Sequence, residues 1–576
     1  MTAEQTPAAQ TPTVQSSDTS GASAAPASPA PAPETPPESG VFTMPLPLAL
    51  GYVLSSILIG LGAGLGQGFL SGSLAQMAGD LGTTTTEASW LIIAFIVPRC
   101  CMPILLTKVR TQYGLRRFTE VSVAVFVIAD FAAMWMDDLR SAILVEILSG
   151  AASASLSTLA FLYMLEPLSA AWRLRLGLPV VMTALTIGTS LARVLAPPLI
   201  GDGGLFSLHL FSLGMAMMSL ALVIVLPLKP VPHAKVIRVL DLFSFALITS
   251  GVTGIITGCI MGPIYWWFDA PWIGLLIAGG IAALITAVVI ELHRAEPLLD
   301  IRWLASPAVV HLTGALLIFR IIMSEQSTGA PRLFQVLGLS PDQMAPLFAI
   351  IATATLLGSL ACVAWLKPGR EPQFHLIALV MIAFGAWMDS TATIDTRPQQ
   401  MFISQGIIGF ASMLFLPPAL LAGLLSALRK GPQYILSFIV VFISTQSIGA
   451  MIGSGVFTTL INNRQAAHFH RLIEQMAGTH PEFAYQLAQR NTALAPQISD
   501  SLARSAQALS QITTEATNQA YVLAYNDAYY LTFLLAVTAA SALCLHLFRD
   551  WLVAVIPRRV PTAAAATATP NAYDPK

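Results

Sequence analysis

The chain has 576 residues, 55% of them hydrophobic and only 10% charged. Soluble globular domains carry about 25% charged residues, so a water-soluble fold of this size is excluded. The formal net charge of −1 offers no basic surface for nucleic acid. Cys100, Cys101, Cys259, Cys362 and Cys544 all lie in apolar runs without a Cys-x-x-Cys pair, which argues for small core residues and against a disulfide framework or metal site.

Residues 1–43 are rich in Ala, Pro, Thr and Ser and bury too little to offset ordering entropy, so a disordered tail is expected. They contain no Lys or Arg, and the next apolar run is too long for a signal peptide. Apolar runs of about 20 residues, each long enough to cross a bilayer core of ~30 Å, then follow. Spans are expected near 46–73, 86–106, 117–136, 140–164, 174–200 and 205–228. A pair follows near 239–261 and 271–291. The last six lie near 308–328, 342–366, 374–389, 400–426, 434–461 and 529–548.

The fold class expected is an all-α polytopic membrane protein of fourteen spans. Its parts are an N-terminal six-helix bundle (44–230), an inserted two-helix linker (231–305) and a C-terminal six-helix bundle (306–548), before a tail at 549–576. With the N-terminus inside, the inner loops hold fifteen Lys and Arg, and the short outer loops only Arg140, Arg332 and Arg397. Cytoplasmic loops carry such an excess. Both termini are therefore expected in the cytoplasm of a cell with an inner membrane. Residues 463–527 form one long outer segment. Apolar residues at three-to-four spacing in HRLIEQM (470–476) and SLARSAQAL (501–509) predict short amphipathic helices there. His468 and His470 within it read as solvated.

Several stretches together resemble the fourteen-span drug:proton antiporters of the major facilitator superfamily, of the EmrB/QacA type. They are ELHRAEPLLDIR at 291–302, PRLFQVLGLSP at 331–341, QSIGAMIG at 446–453 with Asn463-Arg464, and Asn526-Asp527-Ala528-Tyr529. Asp241 just after Arg238 matches the start of the inserted pair. The resemblance implies two similar bundles, proton-coupled export of amphipathic small molecules or drugs, and no cofactor beyond a proton gradient. In Gram-negative members it also implies a periplasmic adaptor protein and an outer-membrane channel as partners. A transporter of another substrate, such as a siderophore or organic acid, and a non-transporting membrane sensor or scaffold are the alternatives.

The first half departs from that pattern. Gly66 beside Gln67 stands where the family has an acid, and Glu146 where it has an Arg. Ala196-Pro197-Pro198 replaces a Gly-Pro motif. Charges inside a bilayer are costly and mark pathways or paired sites. The candidates are Glu146, Arg193, Arg99, Gln67, Arg320 and Glu325, with Asp130 and Asp241 read as structural. At a rise of 1.5 Å per residue, Gln67, Asp130, Glu146 and Arg193 each fall about 10 Å below the outer surface. Glu146 is therefore expected to face Arg193 with Gln67 nearby, or Arg99 if the second span tilts. Glu146 is either a protonation switch or half of a fixed ion pair. Arg320 is a packing residue, a site for an anionic substrate group, or a partner for Glu325. No G-x-x-x-x-G-K-[ST] signature is present, so active transport would draw on an ion gradient.

Overall fold

The computed structural model describes residues 40–229, 235–431, 434–475 and 481–555. Most of the expected tails, 1–39 and 556–576, therefore lie outside the described residues. The end of the first tail differs from expectation. Thr43 N–H donates to the Pro167 carbonyl at 2.9 Å and Ser169 N–H to the Val41 carbonyl at 3.1 Å, which pins the chain before its first helix.

The helices of the first half are α1 (Leu46–Gly72), α2 (Thr85–Tyr113), α3 (Leu115–Ala133), α4 (Leu139–Leu165), α5 (Ala170–Gly201) and α6 (Gly203–Val225). The inserted pair is α7 (Val239–Tyr265) and α8 (Pro271–Leu292). The second half comprises α9 (Pro307–Val336), α10 (Pro341–Trp365), α11 (Glu371–Asp389), α12 (Pro398–Lys430), α13 (Tyr434–Gln475) and α14 (Ser501–Val555). Each expected span is a helix, as it must be where lipid offers no partner for backbone groups. Thirteen are long and apolar enough to cross a membrane. The fourteenth, α3, carries Arg116, Arg117, Glu120 and Asp130. It packs against α4 and the α5–α6 pair as a full member of the bundle.

Local chemistry sets the helix ends. Thr84 and Glu87 form a reciprocal capping box at the start of α2, with Glu87 N–H donating to Thr84 Oγ1 at 3.2 Å and Thr84 N–H to Glu87 Oε2 at 2.9 Å. The break between α5 and α6 falls at Gly204, with φ 64° and ψ −159°, a conformation open mainly to glycine. Helix α9 widens into a π turn over Glu325–Gly329, a feature frequent at functional sites.

Small residues let helices approach closely. Gly60, Gly64 and Gly68 share one stripe of α1 against α5, and a Cβ on Gly188 would fall 2.7 Å from the Gly64 carbonyl carbon. The same spacing of glycines in the sequence does not mean the same role: Gly66 has nothing within 4 Å of an added Cβ.

Helices α1–α6 pack on one another, as do α9–α14, while α7 packs on α8 and wedges against both α2 and α13. The halves meet where α5 lies along α10 and α2 along α13. Two ends can be distinguished. At the basic end, Arg175 donates to the Val363 and Ala364 carbonyls at 3.1 and 3.2 Å, and Ser359 Oγ to the Pro179 carbonyl at 3.2 Å. The opposite end carries the segment after α13.

That segment is not a set of short helices. Helix α13 runs on to Gln475 and α14 already begins at Ser501, leaving one separate short helix, Pro481–Leu494. No Gly or Pro interrupts 501–555, so the polar pattern and the apolar span form one rod. At 1.5 Å per residue it is ~80 Å long, against a bilayer core of ~30 Å. Arg490 pairs with Glu515, fastening the short helix to α14. His468, expected to be solvated, instead meets Asp527 at 2.7 Å beside Arg464 at 2.6 Å and ties α13 to α14.

Candidate functional site

At the midlevel of the fold, Arg99 of α2 is 8% exposed and donates through Nη1 to Gln67 Oε1 of α1. Its guanidinium also lies 5.8 Å from the Phe95 ring centre. Arg320 of α9 lies against α13, where a Cβ on Gly449 would fall 3.1 Å from Arg320 Cβ. The Nε atoms of both arginines are buried without partners. On α13, Gln446 is 6% exposed, and neither its amide nitrogen nor its oxygen has a partner. Ser444 Oγ donates to the Cys100 carbonyl at 2.7 Å, clamping α13 to α2 at this level.

A second cluster lies within the C-terminal bundle. Glu325, on the π turn of α9, is 1% exposed and faces the Asp389 carboxyl at the end of α11. No hydrogen-bond partner reaches either Glu325 oxygen. Asp389 accepts from Ser404 Oγ and from Gln405 Nε2, the latter at 2.7 Å, both on α12. The Tyr529 hydroxyl of α14 is buried and unpartnered close to both acids. Space for the wide turn comes from Gly329, where a Cβ would strike the Phe457 and Tyr529 rings at 2.9 Å.

In the N-terminal bundle Glu146 of α4 is 8% exposed, and its charged neighbour is Asp130 of α3. The expected pairing with Arg193 is absent. Arg193 instead points to the other half, with its guanidinium 4.7 Å from the Phe348 ring centre. Equal depth placed the two side chains at one level but left their rotation about each helix open. Gln67 sits with Arg99 and not with Glu146, and Arg99, the alternative partner for Glu146 if the second span tilts, forms no ion pair with it either. Arg320 likewise does not pair with Glu325. Among the described residues, no ion pair involves Arg99, Arg193 or Arg320.

Arg193 borders a cavity of about 180 Å³ between the halves at the end away from the basic loops. Gln76 lines it from one half, and Gln335, Asp342 and Phe348 from the other. This volume exceeds the ~10–15 Å³ one water needs. At the basic end Asp241 has no exposed surface and is held by Lys108 at 2.8 Å and Arg294 at 2.5 Å. Arg294 also grips Glu291 at 2.7 Å. Both acids hold the Arg294 guanidinium above its ordinary pKa, overcoming an opposing effect of burial. No group of three His, Cys, Asp or Glu residues among the described residues is placed to hold a metal ion.

Sequence reasoning missed Asp389, Gln405, Gln446 and Tyr529. Asp389 is the last residue of a predicted span and was given no role. Gln446 and Tyr529 stood inside resemblance motifs without a role.

No protein-family model matches the chain, and no curated protein matches it. Solved structures do. A major facilitator proton:xylose symporter, XylE bound to 6-bromo-6-deoxy-D-glucose, is 12% identical, covering 89% of this chain and 96% of its own, with a TM-score of 0.53. A POT family transporter in complex with 5-aminolevulinic acid is 13% identical over 88% and 98%, with a TM-score of 0.53. The human organic anion transporter MFSD10 is 13% identical over 85% and 97%, with a TM-score of 0.50. The chain is an all-α polytopic membrane protein. Its fold is that of the major facilitator superfamily, with an extra helix pair between the halves.

Proposed function

We propose that the chain is a secondary transporter that exports amphipathic small molecules in exchange for protons, in the manner of the fourteen-span drug:proton antiporters. The observation that carries this reading is the one-sided junction of the halves. Arg175 and Ser359 tie them at the basic end, while a cavity lined from both halves lies at the other. Alternating access needs such an asymmetric state and a mirror state with the ties exchanged. By the Lys/Arg bias of the loops, the basic end is cytoplasmic and the cavity opens outward from an inner membrane. The projecting ends of α13 and α14 are then the surface a periplasmic adaptor would meet.

Proton exchange is assigned to Glu325 with Asp389. Two carboxylates facing each other away from water repel, and one proton relieves that repulsion. The π turn beneath Glu325 lets the pair be exposed alternately. Glu146 beside Asp130 is the corresponding arrangement in the first half, and Arg99, Gln67, Arg193 and Arg320 are assigned to the transport path.

Proteoliposomes with an entrapped pH indicator test this. Adding a panel of aromatic cations, anions and neutral drugs should move protons for at least one compound, and Glu325→Gln should abolish that movement. Silence with every compound would sink the exchange reading. Normal proton movement in Glu325→Gln would transfer the role to Glu146, which Glu146→Gln checks in turn.

A further inference from the structure

Four polar side chains stand on four helices where Ser444 of α13 reaches the Cys100 carbonyl of α2 and Gly449 of α13 lies against Arg320 of α9, and their charge does not balance. Gln67 and Arg99 come from the first half, Arg320 and Gln446 from the second. Arginine stays protonated at every accessible pH. Arg99 is 8% exposed, Arg320 is half-buried with its Nε enclosed, and neither is joined by a carboxylate among the described residues, so the junction lacks a counter-charge. The cost of such charges away from water is several kcal/mol per ion.

Structural readings account poorly for them. A snorkelling arginine sits near a helix end, whereas Arg99 and Arg320 lie near the middles of α2 and α9. An arginine retained for packing would spend its donors on carbonyls, yet both Nε atoms are orphaned. Gln446 is a second, independent sign. Its amide is 94% buried with both ends empty. It also shares a stripe of α13 with Gly449, three residues on, whose added Cβ would touch Arg320 Cβ at 3.1 Å. An unfilled buried amide costs about 1–3 kcal/mol, and a ligand carrying both a donor and an acceptor removes that cost.

We propose that Arg99 and Arg320 are the two halves of a binding site for an organic carboxylate, with Gln446 and Gln67 holding the polar group next to its acid. The guanidinium fork takes a planar carboxylate through two parallel hydrogen bonds. The Phe95 ring beside Arg99 supplies an apolar wall for the rest of the molecule. Each half of the protein contributes one cation, so the anion draws the halves together on binding, and their separation releases it. This proposal rests on the transporter reading and narrows its cargo to anionic amphiphiles.

Thermal unfolding of the full chain in detergent tests the site without requiring flux. The probes are benzoate, 1-naphthoate and hexanoate, each against its neutral amide, with benzylamine as a cation. At least one carboxylate should raise the unfolding midpoint while its amide does not. Arg99→Gln and Arg320→Gln should each weaken the apparent affinity at least tenfold, and Arg116→Gln, which removes an exposed charge, should not. If the glutamine variants do not purify as folded protein, Arg320→Lys and Gln446→Leu replace them, with the same expected loss. Protection by amides equal to that by acids, protection that survives the arginine substitutions, or no protection by any carboxylate overturns the proposal. Carboxylate protection without proton exchange in proteoliposomes would remove the transporter reading and leave the site standing. Exchange that ignores the charge of the compound would do the reverse.

Discussion

Lys108 at the end of α2 donates a hydrogen bond to Asp241 at the start of α7 across 2.8 Å, and Asp241 has no exposed surface. Arg294, after α8, holds the same carboxylate. One acid thus fastens the inserted helix pair to the first bundle. Asp241→Ala would leave two cations, 14% and 9% exposed, without their anion. Removing one partner of a buried pair costs about 3–5 kcal/mol. A clear fall in the thermal midpoint of the purified protein is expected. An unchanged midpoint would show that the pair stays docked without this tie.

Two glycines give a matched contrast. Gly188→Ala places a Cβ 2.7 Å from the Gly64 backbone, whereas at Gly66 it meets nothing within 4 Å. Backbone cannot yield as a side chain can, so the first change should destabilise by about 1–3 kcal/mol. Gly66→Ala should be near neutral. Comparable unfolding midpoints for the two variants would contradict the close α1–α5 contact.

Arg175 is the tie most open to solvent at the basic end, where it reaches two carbonyls of α10. Its exposure weakens the charge-assisted bonds, so Arg175→Ala should shift the equilibrium by about 1 kcal/mol, roughly fivefold. The measurement is maleimide labelling of Ser359→Cys, a site 3% exposed in this state. Faster labelling is expected, and an unchanged rate would mean that Arg175 does not hold this end shut.

Sidedness can be read from single cysteines in a cysteine-free background. With the basic loops inside, an impermeant maleimide should label Arg490→Cys on intact spheroplasts and Lys367→Cys only after permeabilisation. Labelling of both from one face would break the topology and the export direction together.

The sequence by itself determined the number of spanning helices and where each lies in the chain, because backbone in hydrocarbon must close its hydrogen bonds within a helix; the lengths of α13 and α14 it did not. Even the short stretch expected at 374–389 is a helix, Glu371–Asp389. It also named Glu325, Arg99 and Arg320 as unusual, since a charge among twenty apolar residues is conspicuous. Which charges meet was decided only by the tertiary structure. Depth along a helix follows from counting residues, but rotation about the axis follows from packing. Glu146 therefore turned to Asp130, and Arg193 to Phe348, although residue counting puts both at one level. Asp389 became buried because α12 brings Ser404 and Gln405 over it. Arg99 and Arg320 were brought to opposite sides of one helix, α13, only by packing, through Ser444 at the Cys100 carbonyl and Gly449 against Arg320.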